Sequence, residues 1–445
     1  MKTPREIGAD VLHSVLMDGG YANILLNRAL FGVHNGRDRA FITNLVYGAV
    51  QKKAPLDYQL NRFLKKPVRK KDKYLETLLR AGLYELFFSA AKPYAVVNEY
   101  VKIGKKRGAP IWGKVINGVL RNAERQLTSP EWPDFADDTE RNAFFQSLPF
   151  WLVDLWKRER GEETASRLID AIGKEHPPVL RVNTLKTDRN KLKKLLAEKG
   201  IEATEGTLSA DALRLPKGSD LRNLPQELFT VQEESSQLVA AVLAPKPDES
   251  VLDMCAAPGG KTTHIAQKME NTGVIRASDL YDHKIELIRQ NAERLGITII
   301  RAETKDSLLW GEESPADFDA VLLDAPCSGL GVLGRRPDSR LRKKESDIAE
   351  LGAIQRKLLE SAYRALRPGG RLVYSTCTLT RTENETNALW FVQAHSDIRF
   401  LPFADRIGGL NEEESAAAAK GMLELLPYHH HTDGFFIACF EKECK

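Results

Sequence analysis

The feature that most constrains the fold is the alternation of short apolar strands with helices in the second half of the chain. Apolar runs without polar alternation, such as Ala320-Val321-Leu322-Leu323, are typical of strands that helices cover on both faces. Helices are predicted between the strands, among others at residues 282–295 and 350–366. The pattern predicts an α/β fold, a doubly wound sheet that binds its ligands beyond the carboxyl ends of its strands. Strands are expected near residues 250–254, 274–278, 297–301, 319–323, 371–375 and 435–440.

A glycine turn joins the first of these strands to a helix. In Cys255-Ala256-Ala257-Pro258-Gly259-Gly260-Lys261, the paired glycines allow close backbone approach and the helix start offers unpaired N–H groups. The turn lacks the first glycine of a Walker loop and does not match Gly-x-Gly-x-x-Gly. Asp279 ends the next strand, where a carboxylate can bind ribose hydroxyls, and Asp306 follows the third, where it can meet an adenine amino group. A lone acidic strand end would only cap a helix, but together these features predict a nucleoside cofactor.

Two cysteines are predicted just beyond the ends of two buried strands. Cys327 lies in Asp324-Ala325-Pro326-Cys327 and Cys377 in Ser375-Thr376-Cys377. A thiolate can add to a weak electrophile such as a pyrimidine base and divide one difficult step into two easier ones. Asp324 stands where it could supply a proton to that base. The chemistry alone leaves open which cysteine attacks. It also leaves open whether Lys261 orients Asp324 or is a helix-start lysine exposed to water.

The first quarter of the chain is strongly basic. Residues 1–125 contain 23 Lys and Arg against 10 Asp and Glu, although the whole chain carries a net charge of only +4. Apolar residues recur there at helical spacing, as in Val11, Leu12, Val15 and Leu16, which predicts a domain of six or seven helices. Clusters such as Arg69-Lys70-Lys71 favour a polyanion-binding module over an ordinary solvated helical surface.

Shifts in composition suggest where the domains begin and end. Residues 126–145 are acidic and contain Pro130 and Pro133, which is typical of a linker. From Pro149 the pattern mixes helix and strand over a stretch too short to carry out chemistry alone. A helix start is expected after Val231, with Ser235 or Ser236 as its cap. We predict an all-α domain at 1–128, a linker at 129–148, a small α+β subdomain at 149–230 and the doubly wound domain at 231–445.

These stretches resemble the RNA 5-methylcytosine methyltransferase family, and within it the bacterial small-subunit (16S) ribosomal RNA enzymes that carry an N-terminal NusB-like domain. In the catalytic half the resemblance rests on residues 181–183, 256–261, 324–329, 375–378, 383–385 and 434–436. In the N-terminal part, residues 97–101 and 115–121 are similar to the antitermination factor NusB. The turn at residues 367–370, Arg-Pro-Gly-Gly, is often seen in S-adenosylmethionine-dependent methyltransferases.

The resemblance implies a Rossmann-like methyltransferase domain that uses S-adenosylmethionine to methylate carbon 5 of a cytosine in small-subunit ribosomal RNA through a covalent cysteine–cytosine adduct. It makes Cys377 the nucleophile and gives Cys327 the product-release step. It gives Asp324 the contact with cytosine N3 and Lys261 a supporting role. The NusB-like domain and the small subdomain are implied to bind RNA. The implied cofactor contacts are Cys255, Ala256, Ala257, Pro258, Gly259, Gly260, Lys261, Asp279, Asp306 and Asp324.

Three other functions stay open at this point. A transfer-RNA cytosine methyltransferase would share every catalytic motif. A non-catalytic RNA-binding or antitermination factor is disfavoured by the intact Cys327, Cys377 and Asp324. A DNA cytosine methyltransferase, which attacks from a Pro-Cys motif, would carry a large recognition insert that residues 330–370 do not show.

Several further residues are interpreted as structural. Cys255 borders the glycine turn, but a role in core packing is the favoured interpretation. Thr382-x-x-Glu385 matches a capping box, which would account for the polar residues Glu383 and Asn384 without a catalytic role. His429-His430-His431 lacks spaced partners, so no metal site is predicted. The chain contains an odd number of cysteines and lacks a secretory signal or a long apolar run. These features predict a cytoplasmic protein without a membrane span. The basic N-terminal part and the resemblance imply RNA as its partner, and no obligate protein partner is inferred.

Overall fold

The computed structural model describes residues 2–174 and 177–444, which form two compact units. The first unit runs to Gly173 and also takes in Arg335–Lys343. The second comprises Lys174–Gly334 and the chain from Lys344 onward. None of the helices in the described part combines the length and apolar character that crossing a membrane requires.

The first unit is helical, and local sequence signals set several of its helix ends. Thr3 accepts a hydrogen bond from the backbone N–H of Glu6, and Asn35 accepts one from that of Arg37. Two later helices begin at Pro93 and Pro110, where the missing N–H costs nothing. The helices are α1 (Pro4–Met17), α2 (Ala22–Leu30), α3 (Gly36–Gln51), α4 (Lys53–Phe63), α5 (Lys73–Phe88), α6 (Pro93–Arg107), α7 (Pro110–Arg125), α8 (Asp138–Phe145), α9 (Phe150–Arg160) and α10 (Glu162–Ile172).

The predicted helical periodicity of the N-terminal part is confirmed. Seven helices lie within the described stretch from Pro4 to Arg125. Their apolar faces form one core, in which Leu12 and Leu78 are fully buried. Because helices of this length are marginal in isolation, this shared core is what stabilises them.

The segment predicted as a linker, residues 129–148, is ordered and contains α8. The ring of Trp132 lies 5.8 Å from that of Phe87 and 5.1 Å from that of Phe145, measured between centroids. Aromatic packing of this kind stabilises the segment against the helices before it, which its acidic, proline-bearing composition did not reveal. Helices α9 and α10 also belong to the first unit, whereas the prediction placed them in the small subdomain. The domain bounds drawn from sequence stay a prediction.

A short piece of the C-terminal half also belongs to the first unit. Within Arg335–Lys343, a 3₁₀ turn spans Pro337–Leu341. Asp338 accepts a hydrogen bond from the backbone N–H of Ala22 at 3.2 Å, and the guanidinium of Arg342 lies 4.3 Å from the ring centroid of Tyr21. This segment therefore packs against the start of α2, although its position in the sequence suggests a loop of the doubly wound domain.

The second unit begins with a small antiparallel sheet. Its strands are β1 (Val179–Val182), β2 (Thr204–Glu205), β3 (Ala212–Arg214) and β4 (Phe229–Val231), in the order β2-β3-β1-β4. Helix α11 (Arg189–Glu198) begins at Asp188, whose carboxylate accepts from the backbone N–H of Lys191. The mixture of helix and strand predicted after Pro149 is confirmed. The sequence did not signal β2 and β4, which are too short to show an alternating pattern.

The large sheet contains eight strands in the described chain, in the order β10-β12-β9-β8-β5-β6-β7 with β11 beside β12. Strands β7, β6, β5, β8 and β9 are parallel, and β12 joins β9 antiparallel. The strands are β5 (Ser250–Asp253), β6 (Val274–Asp279), β7 (Ile300–Thr304), β8 (Phe318–Asp324), β9 (Leu366–Thr376), β10 (Ile398–Phe400), β11 (Met422–Leu425) and β12 (Phe435–Lys442). The helices are α12 (Glu234–Leu243), α13 (Gly260–Lys268), α14 (Asp282–Leu295), α15 (Trp310–Glu313), α16 (Ser346–Ala365), α17 (Glu385–Ala394), α18 (Glu412–Ala418) and α19 (Pro427–His430).

The doubly wound α/β fold predicted from the sequence is confirmed, with local differences. Strand β9 begins at Leu366 rather than 371, because the Arg-Pro-Gly-Gly turn lies at a register shift in its pairing with β8. Helix α12 is capped at Glu233 without a side-chain hydrogen bond, so the expected cap at Ser235 or Ser236 is wrong. Ser235 is instead fully buried, and its backbone N–H donates to the hydroxyl of Thr432.

Candidate active site

The two cysteines singled out in the sequence lie side by side. Strands β8 and β9 are neighbours in the parallel sheet, with Asp324 paired to Ser375 at their carboxyl ends. The loops that follow carry Cys327 and Cys377, whose Sγ atoms are 3.4 Å apart. Both residues are half-buried.

The surroundings of Cys327 favour the neutral thiol. Its contact with Cys377 and its burial raise the pKa of the Cys327 thiol well above the ordinary value, and the negative charges of Glu383 and Asp324 add to the effect. A thiol with a raised pKa is a poor nucleophile. The surroundings of Cys327 therefore favour its protonated form.

A fixed ion pair lies beside the cysteines. The Nζ atom of Lys261 donates to Oδ2 of Asp324 at 2.8 Å, and the hydroxyl of Ser375 donates to Oδ1 at 2.8 Å. Burial alone would lower the pKa of Lys261, but the ion pair with Asp324 and the negative charge that Cys377 can carry raise it. The side chain of Lys261 is only 16% exposed, so the reading as a solvent-exposed lysine is wrong.

A buried carboxylate connects the loops that carry the two thiols. Glu383 is fully buried and accepts from the backbone N–H of Ser328 at 2.8 Å and from the hydroxyl of Thr380 at 3.0 Å. The side-chain amide of Gln355, on α16, donates to the same carboxylate at 3.1 Å and to the carbonyl oxygen of Pro326 at 2.9 Å. The segment from Pro326 to Ser328 is thus hydrogen-bonded on both sides of Cys327.

The backbone around Cys377 is held in the same manner. Asn384 accepts from the hydroxyl of Thr376 at 2.6 Å and donates to the carbonyl oxygen of Thr378 at 3.0 Å. The backbone N–H of Gly331 donates to the carbonyl oxygen of Cys377 at 3.0 Å, and a Cβ atom at Gly331 would lie 2.9 Å from that oxygen. Only a glycine permits so close an approach. Helix α17 has Asn384 as its N-cap without a side-chain cap bond, so the predicted capping box at Thr382 is wrong.

The glycine turn forms the expected cradle between β5 and α13. Gly259 has φ +96°, and a Cβ atom there would lie 3.1 Å from Cα of Ile288. The side chain of Asn291, on α14, donates to the carbonyl oxygen of Pro258 at 2.8 Å. From β1, the fully buried guanidinium of Arg181 donates to the carbonyl oxygen of Gly260 and, at 2.9 Å, to the hydroxyl of Thr263. Arg181 thereby ties the small sheet to the turn.

The two acidic residues expected at the cofactor differ in their surroundings. Asp279, at the end of β6, is 10% exposed, and its carboxylate accepts from Nζ of Lys284 at 3.0 Å. Asp306 is exposed and accepts from the backbone N–H of Leu308, where it caps a short 3₁₀ turn. Both follow the carboxyl ends of adjacent parallel strands, on the edge of the sheet that also holds the glycine turn.

One acidic residue near the turn was missed by the sequence analysis. Asp253 ends β5 and is fully buried, and its Oδ2 atom accepts from the hydroxyl of Thr262 at 2.7 Å. Its other oxygen, Oδ1, is buried and has no hydrogen-bond partner in the described residues. Burial raises the pKa of Asp253 to about 7, and the nearby negative charge of Asp324 adds to this. A carboxyl group directly after the apolar pair Val251-Leu252 was the available signal.

Of the other cysteines, Cys255 borders the cluster of functional groups, close enough to feel the charges of Asp253, Asp324 and Asp279. Burial raises the pKa of Cys255, whose side chain packs near the core below the sheet edge. Cys439 is buried in β12, and Cys444 is exposed. His429 and His430 contact the carboxylate of Glu414 at 3.0 and 2.7 Å. No group of metal-ligating side chains occurs among the described residues.

Comparison with known proteins gives the family. Models of the NusB family, of an RsmF/B-like ferredoxin-like domain and of 16S rRNA methyltransferase RsmB/F match residues 2–125, 148–222 and 240–441 in turn. The "Probable ribosomal RNA small subunit methyltransferase B" of Bacillus subtilis (strain 168) is 39% identical over 444 residues, which is 99% of this chain and 98% of that protein. The chain belongs to the RsmB/F family of 16S rRNA methyltransferases. The resemblance, the fold class and the NusB-like domain predicted from the sequence are thereby confirmed.

Solved structures agree with the RsmB/F assignment. The crystal structure of PH0851 has a TM-score of 0.84 and 28% identity, and the match covers 99% of both chains. NSun6 from Pyrococcus horikoshii, solved with SFG, has a TM-score of 0.60 and 25% identity, and the match covers 67% of this chain and 99% of that one. The chain is thus similar to the first structure over nearly its full length and to the second over 67% of it.

Proposed function

We propose that the protein transfers a methyl group from S-adenosylmethionine to carbon 5 of a cytosine in small-subunit ribosomal RNA through a transient bond between Cys377 and the base. The observation that carries this proposal is the 3.4 Å separation of the Cys327 and Cys377 sulfur atoms beside the Lys261–Asp324 ion pair. Carbon 5 of cytosine is too weak a nucleophile to react unaided. A thiolate that adds at carbon 6 turns carbon 5 into the nucleophilic end of an enamine.

The division of labour between the thiols follows from their surroundings. The raised pKa of Cys327 keeps it a thiol, while the ammonium of Lys261 favours the thiolate at Cys377. Cys377 Sγ therefore forms the bond to carbon 6. After carbon 5 is methylated, the Cys327 thiol, 3.4 Å from Sγ of Cys377, gives its proton to that departing sulfur and, as a thiolate, accepts the proton of carbon 5. The electrons of the C–H bond re-form the ring double bond as the Sγ–carbon 6 bond breaks.

Asp324 is suited to contact N3 of the cytosine, while Cys377 bonds to carbon 6. Addition at carbon 6 places electron density on N3, which takes up a proton from solvent and donates the resulting N3–H to the carboxylate of Asp324. The carboxylate of Asp324 is fixed by Lys261 and Ser375, so it can face N3 without moving. Positioning of this kind lowers the reorganisation needed during the reaction. Lys261 is then a positioning residue that also neutralises the charge of Asp324.

The residues around the glycine turn fit S-adenosylmethionine, which supplies the methyl group. The positive φ of Gly259 leaves a cradle that a Cβ atom would fill, and the N-terminus of α13 favours a carboxylate. Asp279 can accept ribose hydroxyls, and Asp306 lies on the next strand end. The neighbours of this turn in sequence, from Cys255 to Lys261, would complete the cofactor contacts.

The proposed substrate is small-subunit ribosomal RNA, in line with the names of the relatives. A base must leave its stack before a thiol can reach carbon 6, so the target cytosine has to be accessible or extruded. The basic first unit would bind the surrounding RNA backbone, with an affinity that falls as salt rises. Because the proposed substrate is ribosomal RNA, the proposed location is the cytoplasm.

The test uses the full-length protein with methyl-labelled S-adenosylmethionine and separate pools of unmodified small-subunit ribosomal RNA and transfer RNA, digested to nucleosides afterwards. Label in 5-methylcytosine from ribosomal RNA alone is the expected result. Label from transfer RNA would keep the chemistry and overturn the substrate. Label in another nucleoside, or none, would overturn the proposed reaction.

A further inference from the structure

The first unit contains a cavity of about 640 Å³ far along the chain from the proposed catalytic residues. It lies between the segment that joins α4 to α5, residues 63–72, and one face of α7. We call it the basic groove. Its volume is within the range of sites that bind small molecules or single building blocks of a polymer.

The floor of the basic groove is apolar. Leu75 and Val119 are buried there, and Trp112 is 7% exposed. At its edge, Ile111 is 52% exposed although it lies on a helix with a strongly apolar opposite face. Ile111 extends the apolar surface of the floor out to the edge of the groove.

The rim of the groove is positive. Lys65, Lys66 and Lys114 are exposed, and in the described part of the chain none of them has an ion-pair or hydrogen-bond partner. Arg69 adds a fourth cation, which is paired with Asp72 at 2.7 Å. Three uncompensated cations around an apolar floor can hold an anionic polymer whose other groups are flat and apolar.

We propose that the basic groove binds a single-stranded segment of the RNA substrate, with phosphates on Lys65, Lys66 and Lys114 and unstacked bases on the apolar floor. The inference rests on the proposed function in that it takes RNA as the substrate. Single strands are bound in this manner, through a charged path along the backbone and apolar or aromatic surfaces under the bases. Duplex RNA cannot fill the groove, because its bases are stacked inside the helix.

Gly118 provides a way to block the groove without disturbing the fold. It lines the cavity, and a Cβ atom added there would have no heavy atom within 4 Å. Since glycine inside a helix is unfavourable, Gly118→Leu should not destabilise α7. The leucine side chain would occupy the space that the bases need. We expect the Kd of the full-length protein for labelled single-stranded poly(U) to rise about tenfold.

The charges are tested by a second variant. Lys65→Gln, Lys66→Gln and Lys114→Gln combined should reduce the slope of log K against log salt by about two, because each lost phosphate contact contributes about 0.7. The matched control replaces Lys2, Lys53 and Lys102, three lysines of the same unit that pair with Asp10, Asp57 and Glu99 and do not line the groove. It has the same net charge and should keep the unmodified slope.

The possible outcomes separate this inference from the proposed function. If Gly118→Leu leaves the Kd for poly(U) unchanged while 5-methylcytosine still forms, the groove proposal is overturned and the proposed function stands. If Gly118→Leu weakened the binding of poly(U) and of a poly(A)·poly(U) duplex equally, the proposal that unstacked bases lie on the apolar floor would be overturned. If Gly118→Leu left the affinity for poly(U) unchanged but weakened the binding of an acidic amphipathic peptide, the groove would be a binding site for a protein and the RNA proposal would be overturned.

Discussion

The ammonium of Lys261 lies 2.8 Å from Oδ2 of Asp324, and the hydroxyl of Ser375 lies 2.8 Å from Oδ1 of the same carboxylate. Lys261 belongs to the first turn of α13, Asp324 ends β8 and Ser375 is its partner in β9. Three elements thus hold one carboxylate at the edge where the two thiols meet. Several variants test what this arrangement does.

Lys261→Met should reduce single-turnover methyl transfer about a hundredfold, since the positioned charge next to Asp324 is lost. The matched control is Lys268→Met on the same helix, which breaks a comparable ion pair with Asp211 at 2.7 Å. Rapid-quench assays with saturating cofactor measure both rates. A Lys261→Met enzyme as fast as the control variant would show that the ion pair has no part in the reaction.

Cys327→Ala should trap a covalent protein–RNA adduct, because Cys377 can still attack while release is impaired. Cys377→Ala should form none, and neither should the double variant. Denaturing gels with labelled RNA and S-adenosylmethionine detect the adduct as a shifted band. The reverse pattern, an adduct from Cys377→Ala alone, would exchange the roles of the two thiols.

Glu383→Gln should destabilise the second unit by about 2 kcal/mol, because the amide places a donor against the donors of Ser328 and Gln355. Glu385→Gln, two residues further along the chain, is the control for the same chemical change at an exposed position. Its side chain is 53% exposed, so a change within about 0.5 kcal/mol is expected. Urea unfolding followed by circular dichroism compares the two. Equal midpoints would mean that the buried carboxylate does not stabilise the cysteine loops.

Asp253 should make the stability of the protein fall as pH rises. Burial raises its pKa to about 7 in the folded state, whereas the unfolded chain releases the proton near the ordinary value of 3.8. Between these values the folded state binds more protons, so the free energy of unfolding decreases with increasing pH and stays lower above pH 7.

Asp253→Asn should remove this dependence while keeping an acceptor for Thr262. The urea midpoint of the variant should match that of the unmodified protein near pH 5 and exceed it near pH 8. Asp248→Asn, at an exposed position, is the control and should follow the unmodified protein. Parallel curves for all three proteins would contradict a buried, protonated Asp253.

Much of the site could be predicted from the sequence, and the limits have physical causes. Apolar runs ending at Asp324 and Thr376 predict parallel strands, and the carboxyl ends of such strands share one edge of a sheet. The sequence does not state which strands are neighbours. Only the β5-β8-β9 order brings Cys327 to 3.4 Å from Cys377.

Short motifs were less reliable where two structures compete for the same residues. Thr382-x-x-Glu385 matches a capping box, yet α17 begins at Asn384 and Glu383 turns inward to Ser328. Residues 126–145 are acidic and proline-bearing, which predicts a linker, and Trp132 within them packs against Phe87. At Glu383, tertiary hydrogen bonds replaced the local pattern.

The sequence by itself determined the strand and helix pattern, the basic N-terminal part and the residue types of the chemistry, because periodicity and charge are properties of local residues. Only the tertiary structure decided that Lys261 meets Asp324, that Glu383 bonds to the Cys327 loop and that Asp253 is buried with a raised pKa. These relations join residues far apart in the chain. They depend on strand order and burial, since electrostatic energies are set by distance and by exclusion of water rather than by position in the sequence.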